Sequence, residues 1–147
     1  MVDAPRRPAD APDLDEECAR YERDITNAAG IGLQLLGIGT NGHIGFNEPA
    51  RELEARTHRV RLKASTRRSN AALFGGDEGK VPAEALSMGM ATILQAGRIV
   101  LLATGKSKAR CIERLARGPI TPKLPASFLQ LHPDVEIAID EAAASEL

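Results

Sequence analysis

Apolar residues recur at helical spacing near the start of the chain. Between residues 14 and 29 they follow one another at intervals of four, three, four and three: Leu14, Cys18, Tyr21, Ile25 and Ala28. This spacing places them on one stripe of an α-helix. Asp13 followed by Glu16 has the spacing of a capping box, and Gly30 is a typical stop. The pattern predicts a first helix over residues 14–29 with one buried face.

Four further segments have the pattern of β-strands. Residues 31–39 and 98–105 are short apolar runs, which are typical of buried strands. Residues 56–65 alternate instead, and alternation predicts a half-exposed strand. In that segment two sets of side chains point to opposite faces: His58, Val60 and Leu62 on one, Arg59, Arg61 and Lys63 on the other. Residues 134–140 predict a last strand.

Helical patterns fill the segments between these strands. Residues 65–74 have a helical pattern that ends at a pair of glycines, and in the loop after it Pro82 opens either a short helix or a turn. Residues 106–118 form another helical segment, and residues 126–132 a short one. One face of the longer segment is apolar: Ala109, Ile112, Leu115 and Ala116. The order of strand, glycine turn, helix and strand predicts a parallel α/β fold.

Length and composition indicate one ordinary globular domain. The chain has 147 residues, of which 43% are hydrophobic and 27% charged. The 20 acidic and 19 basic residues nearly cancel, so no nucleic acid or membrane surface is indicated as a partner. No run approaches the roughly 18 apolar residues of a membrane helix. Cys18 and Cys111 lie far apart in sequence, which predicts reduced thiols in a cytoplasmic protein.

The first residues have a composition of their own. Residues 1–12 carry charges and prolines without an apolar core, so they do not form a secretory signal. We expect a leader or linker over residues 1–12 and a single α/β domain over residues 13–147.

The stretch LLGIGTNGHIGFNEPA, residues 35–50, combines flexible backbone with titratable side chains. Three glycines let the backbone approach a ligand closely: Gly37, Gly39 and Gly42. His43 titrates near neutrality when unperturbed and therefore suits proton transfer. Glu48 is placed to accept a hydrogen bond from the imidazole and fix its tautomer, and Asn41 can orient either group. We interpret this stretch as a catalytic or binding loop.

A purely structural role is the alternative for this loop. The glycines would then only turn the chain, and His43 would be a satisfied polar residue. The clustering of histidine, asparagine and glutamate behind an apolar strand favours the functional interpretation. A metal site is not indicated, because His43, His58 and His132 are scattered and no HExxH motif occurs. We therefore expect neither a metal nor another cofactor.

A second glycine turn follows the other apolar run. Gly105, Lys106 and Ser107 resemble the end of a nucleotide-binding P-loop. That motif needs its first glycine where this chain has Val100, so a nucleotide is not the expected ligand. A phosphate monoester is the simpler ligand, bound by free N–H groups at a helix start beside Lys106 or Lys108. A lysine on a solvated turn is the alternative.

Six cations form a basic run on and after the alternating strand: Arg56, Arg59, Arg61, Lys63, Arg67 and Arg68. Such a run is most often a solvated strand face with the helix that follows it. The chain has three Phe, one Tyr and no Trp, so it lacks the stacking platform that single-stranded nucleic acids need.

Together these motifs resemble the glucosamine-6-phosphate deaminase family. The resemblance is carried by residues 35–50 and by the stretches ARTHRVRL, SMGMATILQAGRIVLLATGKSKA and PASFLQLHPDVEIAIDEAA. The related 6-phosphogluconolactonases share the Gly-x-Gly-x-x-Gly-His turn but not the Phe-Asn-Glu-Pro after it, and this difference favours the deaminase. The resemblance implies a three-layer α/β/α, Rossmann-like, mostly parallel sheet. It also implies an enzyme of amino-sugar catabolism that converts glucosamine 6-phosphate and water into fructose 6-phosphate and ammonia.

The resemblance further implies roles for single residues. His43 is then the acid/base that opens the sugar ring, and Glu48 and Asn41 are the catalytic residues that hold and polarise it. The implied substrate-binding residues are Lys108, which matches the phosphate-binding lysine of the family, with Gly39 and Gly42. The implied partner is a small sugar phosphate, without a cofactor, in the cytoplasm. A homo-oligomer of this chain is possible, and the resemblance leaves its oligomeric state open.

Two positions depart from the family pattern. Many members carry aspartate where this chain has Asn41, and an amide cannot stabilise an imidazolium by charge. An arginine that contacts the phosphate in the family falls at Ala72. Losing such a charge-assisted contact costs about 1.5–3 kcal/mol of binding, unless Arg67 or Arg68 replaces it.

The largest departure is one of extent. The N-terminal portion of the family, with a phosphate loop and the aspartate that moves the carbon-2 proton, has no counterpart in these residues. We therefore expect a sheet that is incomplete at its N-terminal side. Loss of a positioned base predicts activity impaired by roughly 10²–10⁴-fold. The alternatives are a non-catalytic sugar-phosphate-binding module, an inactive remnant or, ranked last, a lactonase-like hydrolase.

Overall fold

The described part of the chain is an α/β fold. The structure, a computed structural model, describes residues 13–147, with Ser65 and Ser69 described by their backbone alone. Its strands are β1 (Leu33–Gly37), β2 (His58–Arg61), β3 (Glu84–Ser87), β4 (Arg98–Ala103) and β5 (Val135–Ile139). Its α-helices are α1 (Leu14–Asn27), α2 (Ala64–Asn70), α3 (Met90–Leu94) and α4 (Ala109–Arg117). The leader or linker predicted over residues 1–12 lies outside the described residues.

The central sheet is parallel and has the order β1-β4-β5. Its three strands lie within the predicted segments at residues 31–39, 98–105 and 134–140, with shorter bounds. The predicted α/β class with a mostly parallel sheet is thereby confirmed.

One face of this sheet packs into the core. Leu36, Ile99 and Leu101 are at most 6% exposed, and they belong to one buried cluster with Ile112 and Leu115 of α4. Apolar side chains buried in this way are the main source of folding free energy. The cluster also holds the base of the loop after β1, because Ile38 and Ile44 belong to it.

The opposite face of the sheet is not covered by the described residues. Leu33, Leu35 and Leu102 are 60%, 59% and 45% exposed. They share this face because side chains alternate along a strand and neighbouring parallel strands keep register, Gly37 lying beside Leu102. The prediction of a buried strand over residues 31–39 is wrong for this face. Apolar composition shows which side chains tolerate burial, but the neighbouring elements decide whether it happens.

β2 and β3 form a separate antiparallel pair. β2 confirms the half-exposed strand predicted within residues 56–65, with Arg59 and Arg61 exposed. β3 was not predicted, because its four residues show no period. Pro82 opens no helix in the described chain, since the backbone enters β3 two residues later.

The predicted helix signals at α1 are confirmed at its start. The side chain of Asp13 accepts hydrogen bonds from two backbone N–H groups of the first turn. The helix ends at Asn27, and Gly30 follows with φ of 92°. The predicted stripe is less buried than expected, because Cys18 alone is buried on α1 and Ala28 is exposed.

Glu22 joins α1 to the rest of the fold. Its carboxylate accepts hydrogen bonds from the Thr57 N–H at 2.7 Å and from the hydroxyls of Thr57 and Thr92 at 2.6 Å. Burial alone would raise the pKa of Glu22, but these hydrogen bonds and the charge of Arg56 outweigh it, so the pKa lies below its usual value. Three distant segments of the chain therefore depend on one ionised carboxylate.

The remaining helices follow their patterns with one correction. Residues 65–74 form α2 followed by a 3₁₀ turn over Ala71–Phe74, and residues 126–132 lie mostly within a 3₁₀ helix over Pro125–Leu131. On α4 the predicted face is buried except at Ala116, which is exposed. Cys111 is buried instead, because it lies beneath Gly39 and the turn before α4.

Candidate functional site

The two glycine turns lie side by side. β1 and β4 are adjacent parallel strands, so their carboxyl ends deliver the loop after β1 and the turn before α4 to the same edge of the sheet. This edge is where ligands bind in open α/β sheets. The structure therefore brings together the two segments that the sequence singled out separately.

The turn after β1 is closed by its own backbone. The N–H of Gly39 donates to the carbonyl of His43 at 2.9 Å, and the N–H of Gly42 donates to the carbonyl of Gly39 at 2.9 Å. Gly42 has φ of 86°, which side chains rarely allow. A Cβ at Gly39 would lie 2.2 Å from the His43 ring. Gly39 thus leaves the space that the imidazole occupies, and Gly42 leaves space for Leu124.

Asn47 fastens the other end of the loop and was not singled out by the sequence. It is 3% exposed, and its side-chain NH₂ donates to the carbonyls of Ile44 at 3.1 Å and Met88 at 2.8 Å. The Ser87 hydroxyl accepts from the Phe46 N–H at 3.0 Å. The Phe-Asn-Glu-Pro stretch is therefore anchored to the end of β3, a strand that the sequence pattern did not show.

Three polar side chains of the loop form a chain of hydrogen bonds. The Nδ1 of His43 lies 2.8 Å from the Oδ1 of Asn41, and the Nδ2 of Asn41 donates to Glu48 Oε2 at 2.8 Å. The distance from His43 Nδ1 to Glu48 Oε1 is 3.6 Å, which is too long for a hydrogen bond. The expected direct bond between Glu48 and the imidazole is therefore wrong: Asn41 lies between them.

The direction of these bonds fixes the imidazole tautomer. An ionised carboxylate can only accept, so the Asn41 NH₂ group faces Glu48 and its oxygen faces His43. That oxygen also only accepts, so His43 Nδ1 carries the proton. Nε2 is then left with its lone pair, which is the state that a proton acceptor needs.

Two further side chains contact Glu48 from the far side of the loop. Lys63 Nζ lies 3.3 Å from Glu48 Oε2, and the Thr66 hydroxyl lies 3.5 Å from Glu48 Oε1. Glu48 is accordingly 18% exposed at its side chain, against 27% for His43.

The electrostatic balance keeps Glu48 charged and His43 neutral. Burial raises the pKa of Glu48, but the hydrogen bond from Asn41, the charge that His43 carries when protonated in acid, and the charge of Lys63 outweigh it, so the pKa lies below its usual value. Burial is the largest effect on the pKa of His43 and lowers it. The negative charge of Glu48 raises this pKa, and the positive charges of Lys108 and Lys63 lower it further. The net pKa of His43 lies below its usual value, so the imidazole is neutral at physiological pH.

Lys108 sits at the junction of the two turns. Its ammonium donates to the carbonyl of Ile38 at 2.6 Å, and the side chain is half-buried, whereas Lys106 is exposed. Gly105, with φ of 87°, donates its N–H to both carboxylate oxygens of Asp140 at 3.0 Å. Asp140 thereby ties the turn to the end of β5, and the hydrogen bonds from the backbone N–H groups of Ala143 and Gly105 hold its pKa below the usual value.

The other candidate residues lie apart from this cluster. The guanidinium of Arg67 donates to the carbonyl of Glu78 at 3.0 Å, while Arg68 and Ala72 are exposed. His58 bonds the carbonyl of Arg56, and His132 bonds the carbonyl of Ala96. Within residues 13–147 no group of three or more His, Cys, Asp or Glu side chains is placed to hold a metal ion.

A cavity of the described chain lies away from this cluster. It has a volume of about 840 Å³ and lies between α1 and the segment before β2, where Glu22 and Arg56 are among its lining residues. The His43 cluster lies at the carboxyl edge of the sheet instead. We place the site at this edge because the convergent polar groups lie there. Among residues 13–147, no helix is long and apolar enough to span a membrane.

Known proteins share both this sequence and this architecture. The family described as glucosamine-6-phosphate isomerases/6-phosphogluconolactonase matches residues 3–137. The glucosamine-6-phosphate deaminase of Thermoanaerobacter pseudethanolicus is 52% identical over 135 residues, which are 92% of this chain and 53% of the relative. The deaminase of Rhodopirellula baltica is 54% identical over 137 residues, which are 93% of this chain and 54% of the relative. The chain spans about half the length of the relatives it matches.

Solved structures agree with this result. The structure of a monomeric glucosamine-6-phosphate deaminase superposes with a TM-score of 0.87 at 48% identity, covering 94% of this chain and 57% of its own. The 6-phosphogluconolactonase of Trypanosoma cruzi superposes with a TM-score of 0.69 at 20% identity over 94% of this chain and 55% of its own, a likeness of fold alone.

Proposed function

The chain belongs to the glucosamine-6-phosphate isomerase/6-phosphogluconolactonase family, and we propose that it carries the ring-opening site of a glucosamine-6-phosphate deaminase. The reaction converts glucosamine 6-phosphate and water into fructose 6-phosphate and ammonia. The observation that carries this proposal is the hydrogen-bonded chain of His43, Asn41 and Glu48 at the carboxyl end of β1.

His43 is the proton carrier in this proposal. A closed sugar ring opens when the hydroxyl on its anomeric carbon loses a proton and the ring oxygen gains one. The Nε2 of His43 has a free lone pair and can accept the first proton and return it to the ring oxygen. Asn41 and Glu48 hold the ring of His43 in the orientation and tautomer that this requires.

Lys108 is the phosphate-binding residue in this proposal. Its ammonium and the backbone N–H groups at the start of α4 lie at the same sheet edge as His43. Gly39 and Gly42 shape the loop of the proposed site, because Gly39 leaves the space that the His43 ring occupies and Gly42 leaves the space that Leu124 occupies. Ala72 supplies no cation, and Arg67 is bonded to the carbonyl of Glu78, so neither adds a phosphate contact in the proposed site.

Two lines of support favour the deaminase over the lactonase. Relatives at about half identity are named glucosamine-6-phosphate deaminase, while the lactonase structures resemble this chain in fold alone. The Phe-Asn-Glu-Pro stretch supplies Glu48 and the anchoring residue Asn47. The setting we propose is the cytoplasm, in keeping with two buried free thiols, Cys18 and Cys111.

Binding and chemistry are tested separately. Isotope-labelled chain is titrated with glucosamine 6-phosphate while the signals of His43 are followed, with glucosamine as the control that lacks phosphate. The proposal expects changes at His43 for the phosphorylated sugar and weaker ones for glucosamine. No change at saturating glucosamine 6-phosphate would contradict it.

The chemical step is tested by ammonia release. Because the 147 residues span about half the length of their relatives, we expect them, tested by themselves, to release ammonia more slowly than a full-length relative. Ligand binding without any ammonia release would support the second candidate, a non-catalytic sugar-phosphate-binding module. Hydrolysis of 6-phosphogluconolactone in place of ammonia release would support the lactonase.

A further inference from the structure

Lys63 contacts the site without belonging to the motif that carries it. It lies between β2 and α2, 15 residues beyond Glu48, and its ammonium is 3.3 Å from Glu48 Oε2. That oxygen is the same one that accepts the hydrogen bond from Asn41. Lys63 therefore acts on Glu48, the end of the hydrogen-bonded chain opposite His43.

An ionised Glu48 favours the present orientation of the Asn41 amide, whose oxygen also accepts from the backbone N–H of His43 at 3.2 Å. A protonated Glu48 would carry an O–H donor, and the Asn41 amide could then turn its oxygen towards it. The amide NH₂ would face His43, and Nδ1 would have to accept the bond. The proton of the neutral imidazole would then sit on Nε2, the atom that has to be free.

Lys63 opposes this reversal in two ways. Its positive charge favours the ionised form of Glu48, and its hydrogen bond holds the carboxylate in the position that meets the Asn41 amide. The Lys63 side chain is 57% exposed, but the carboxylate that it contacts is only 18% exposed. Water therefore has limited access to the carboxylate.

We propose that Lys63 is a positioning residue: it holds the Glu48 carboxylate against the Asn41 amide and so widens the pH range in which His43 is neutral with its Nε2 open. The use made of that Nε2 rests on the proposed function. The contacts of Lys63 with Glu48, and the titration of His43 and Glu48 that tests them, do not depend on that function.

The charges facing His43 come from three segments of the described chain. Glu48 lies on its own loop, Lys63 lies before α2, and Lys108 lies before α4. Lys108 is held by the carbonyl of Ile38, whereas Lys63 is the cation bonded to Glu48. Replacing Lys63 therefore removes one cation from the cluster and leaves the other in place.

The test is an NMR titration of His43 and Glu48 in the 147-residue chain and in Lys63→Met. It is done at low ionic strength, where screening is weak. We expect both titration midpoints to move to higher pH. Glu48 loses a cation that favours its charged form, and His43 loses one that disfavours its charged form. The ¹⁵N shifts of neutral His43 report which nitrogen carries the proton, and the pH range in which His43 is neutral with Nδ1 protonated and Nε2 free should narrow.

Two variants separate positioning from a general effect of mutation. Lys63→Arg keeps the charge and should leave both midpoints at their original values. Lys80→Met removes an exposed lysine paired with Asp77 at 3.8 Å, away from the site, and should change neither. Midpoints in Lys63→Met equal to those in Lys80→Met would overturn the proposal, whether or not the chain binds glucosamine 6-phosphate. Retained signal dispersion in all three variants confirms that they fold.

Discussion

The Nδ1 of His43 is bonded to the amide oxygen of Asn41 at 2.8 Å, and the carboxylate of Glu48 lies one step further away. The neutral amide of Asn41 thus separates the imidazole of His43 from the carboxylate of Glu48. It transmits orientation from Glu48 to His43, but it adds no charge beside the imidazole. Burial of the imidazole, with the charges of Lys108 and Lys63, outweighs the effect of Glu48 and keeps the pKa of His43 below its usual value.

Asn41→Asp should raise the pKa of His43. The new carboxylate would stand where the Asn41 NH₂ now lies 2.8 Å from Glu48. Two carboxylates at that distance titrate as a coupled pair, and their added negative charge favours the imidazolium. The measurement is the NMR titration of His43, with Asn27→Asp at the exposed end of α1 as the control. A His43 midpoint that stays constant or falls would contradict the assigned role of Asn41.

Lys108→Met should weaken sugar-phosphate binding much more than Lys106→Met. The Lys108 ammonium is held at the site by the carbonyl of Ile38, whereas Lys106 is exposed. Loss of a charge-assisted hydrogen bond is worth about 1.5–3 kcal/mol, which is roughly a ten- to hundredfold rise in Kd. Calorimetric titration with fructose 6-phosphate measures it. Equal losses in the two variants would mean that the phosphate is held by general charge alone.

Gly39→Ala should displace His43, while Gly37→Ala should not. A Cβ at Gly39 would stand 2.2 Å from the imidazole, but at Gly37 it would meet no atom within 4 Å. Moving the ring into solvent removes the burial that lowers its pKa, so the midpoint of His43 should rise towards its usual value. Forced overpacking costs about 1–3 kcal/mol of unfolding free energy. Urea unfolding and the His43 titration check both effects, and identical behaviour of the two variants would refute the prediction.

Glu22→Gln should destabilise the fold at neutral pH and flatten its dependence on acid. The folded-state pKa of Glu22 lies below its usual 4.5, so its contribution is present above that value and is lost as pH falls through the lower folded pKa. Weakening hydrogen bonds to a charged group costs about 1–3 kcal/mol. Urea unfolding between pH 3 and pH 7 measures the loss, with exposed Glu52→Gln as the control. A variant as acid-sensitive as the original chain would show that other carboxylates dominate.

The regular elements could be predicted because their signals are local. β4 is a continuous apolar run and α4 has apolar residues on one face, so each pattern is contained in the element itself. β3 could not be found in this way, because its four residues become a strand only by pairing with β2. The exposure of Leu33 and Leu35 was unpredictable for a similar reason: it depends on what covers the sheet.

The residues of the site could be predicted from the sequence, but the hydrogen bonds and ion pairs between them could not. The glycine turn, His43 and Glu48 stand within one short stretch, and their chemistry can be read from residue type. Asn41 as the bridge, and Lys63 as the cation on Glu48, follow from how the loop folds back towards α2. The same holds for Glu22, whose hydroxyl partners lie 35 and 70 residues away in the sequence.

The bond from Lys108 to the carbonyl of Ile38 has a consequence for entropy. A lysine side chain on a free surface loses roughly 0.5–1.5 kcal/mol of rotational freedom when a ligand immobilises it. Here the ammonium is already held against the backbone at 2.6 Å. Most of that ordering therefore takes place when the chain folds, and an arriving phosphate meets a charge that is already in position.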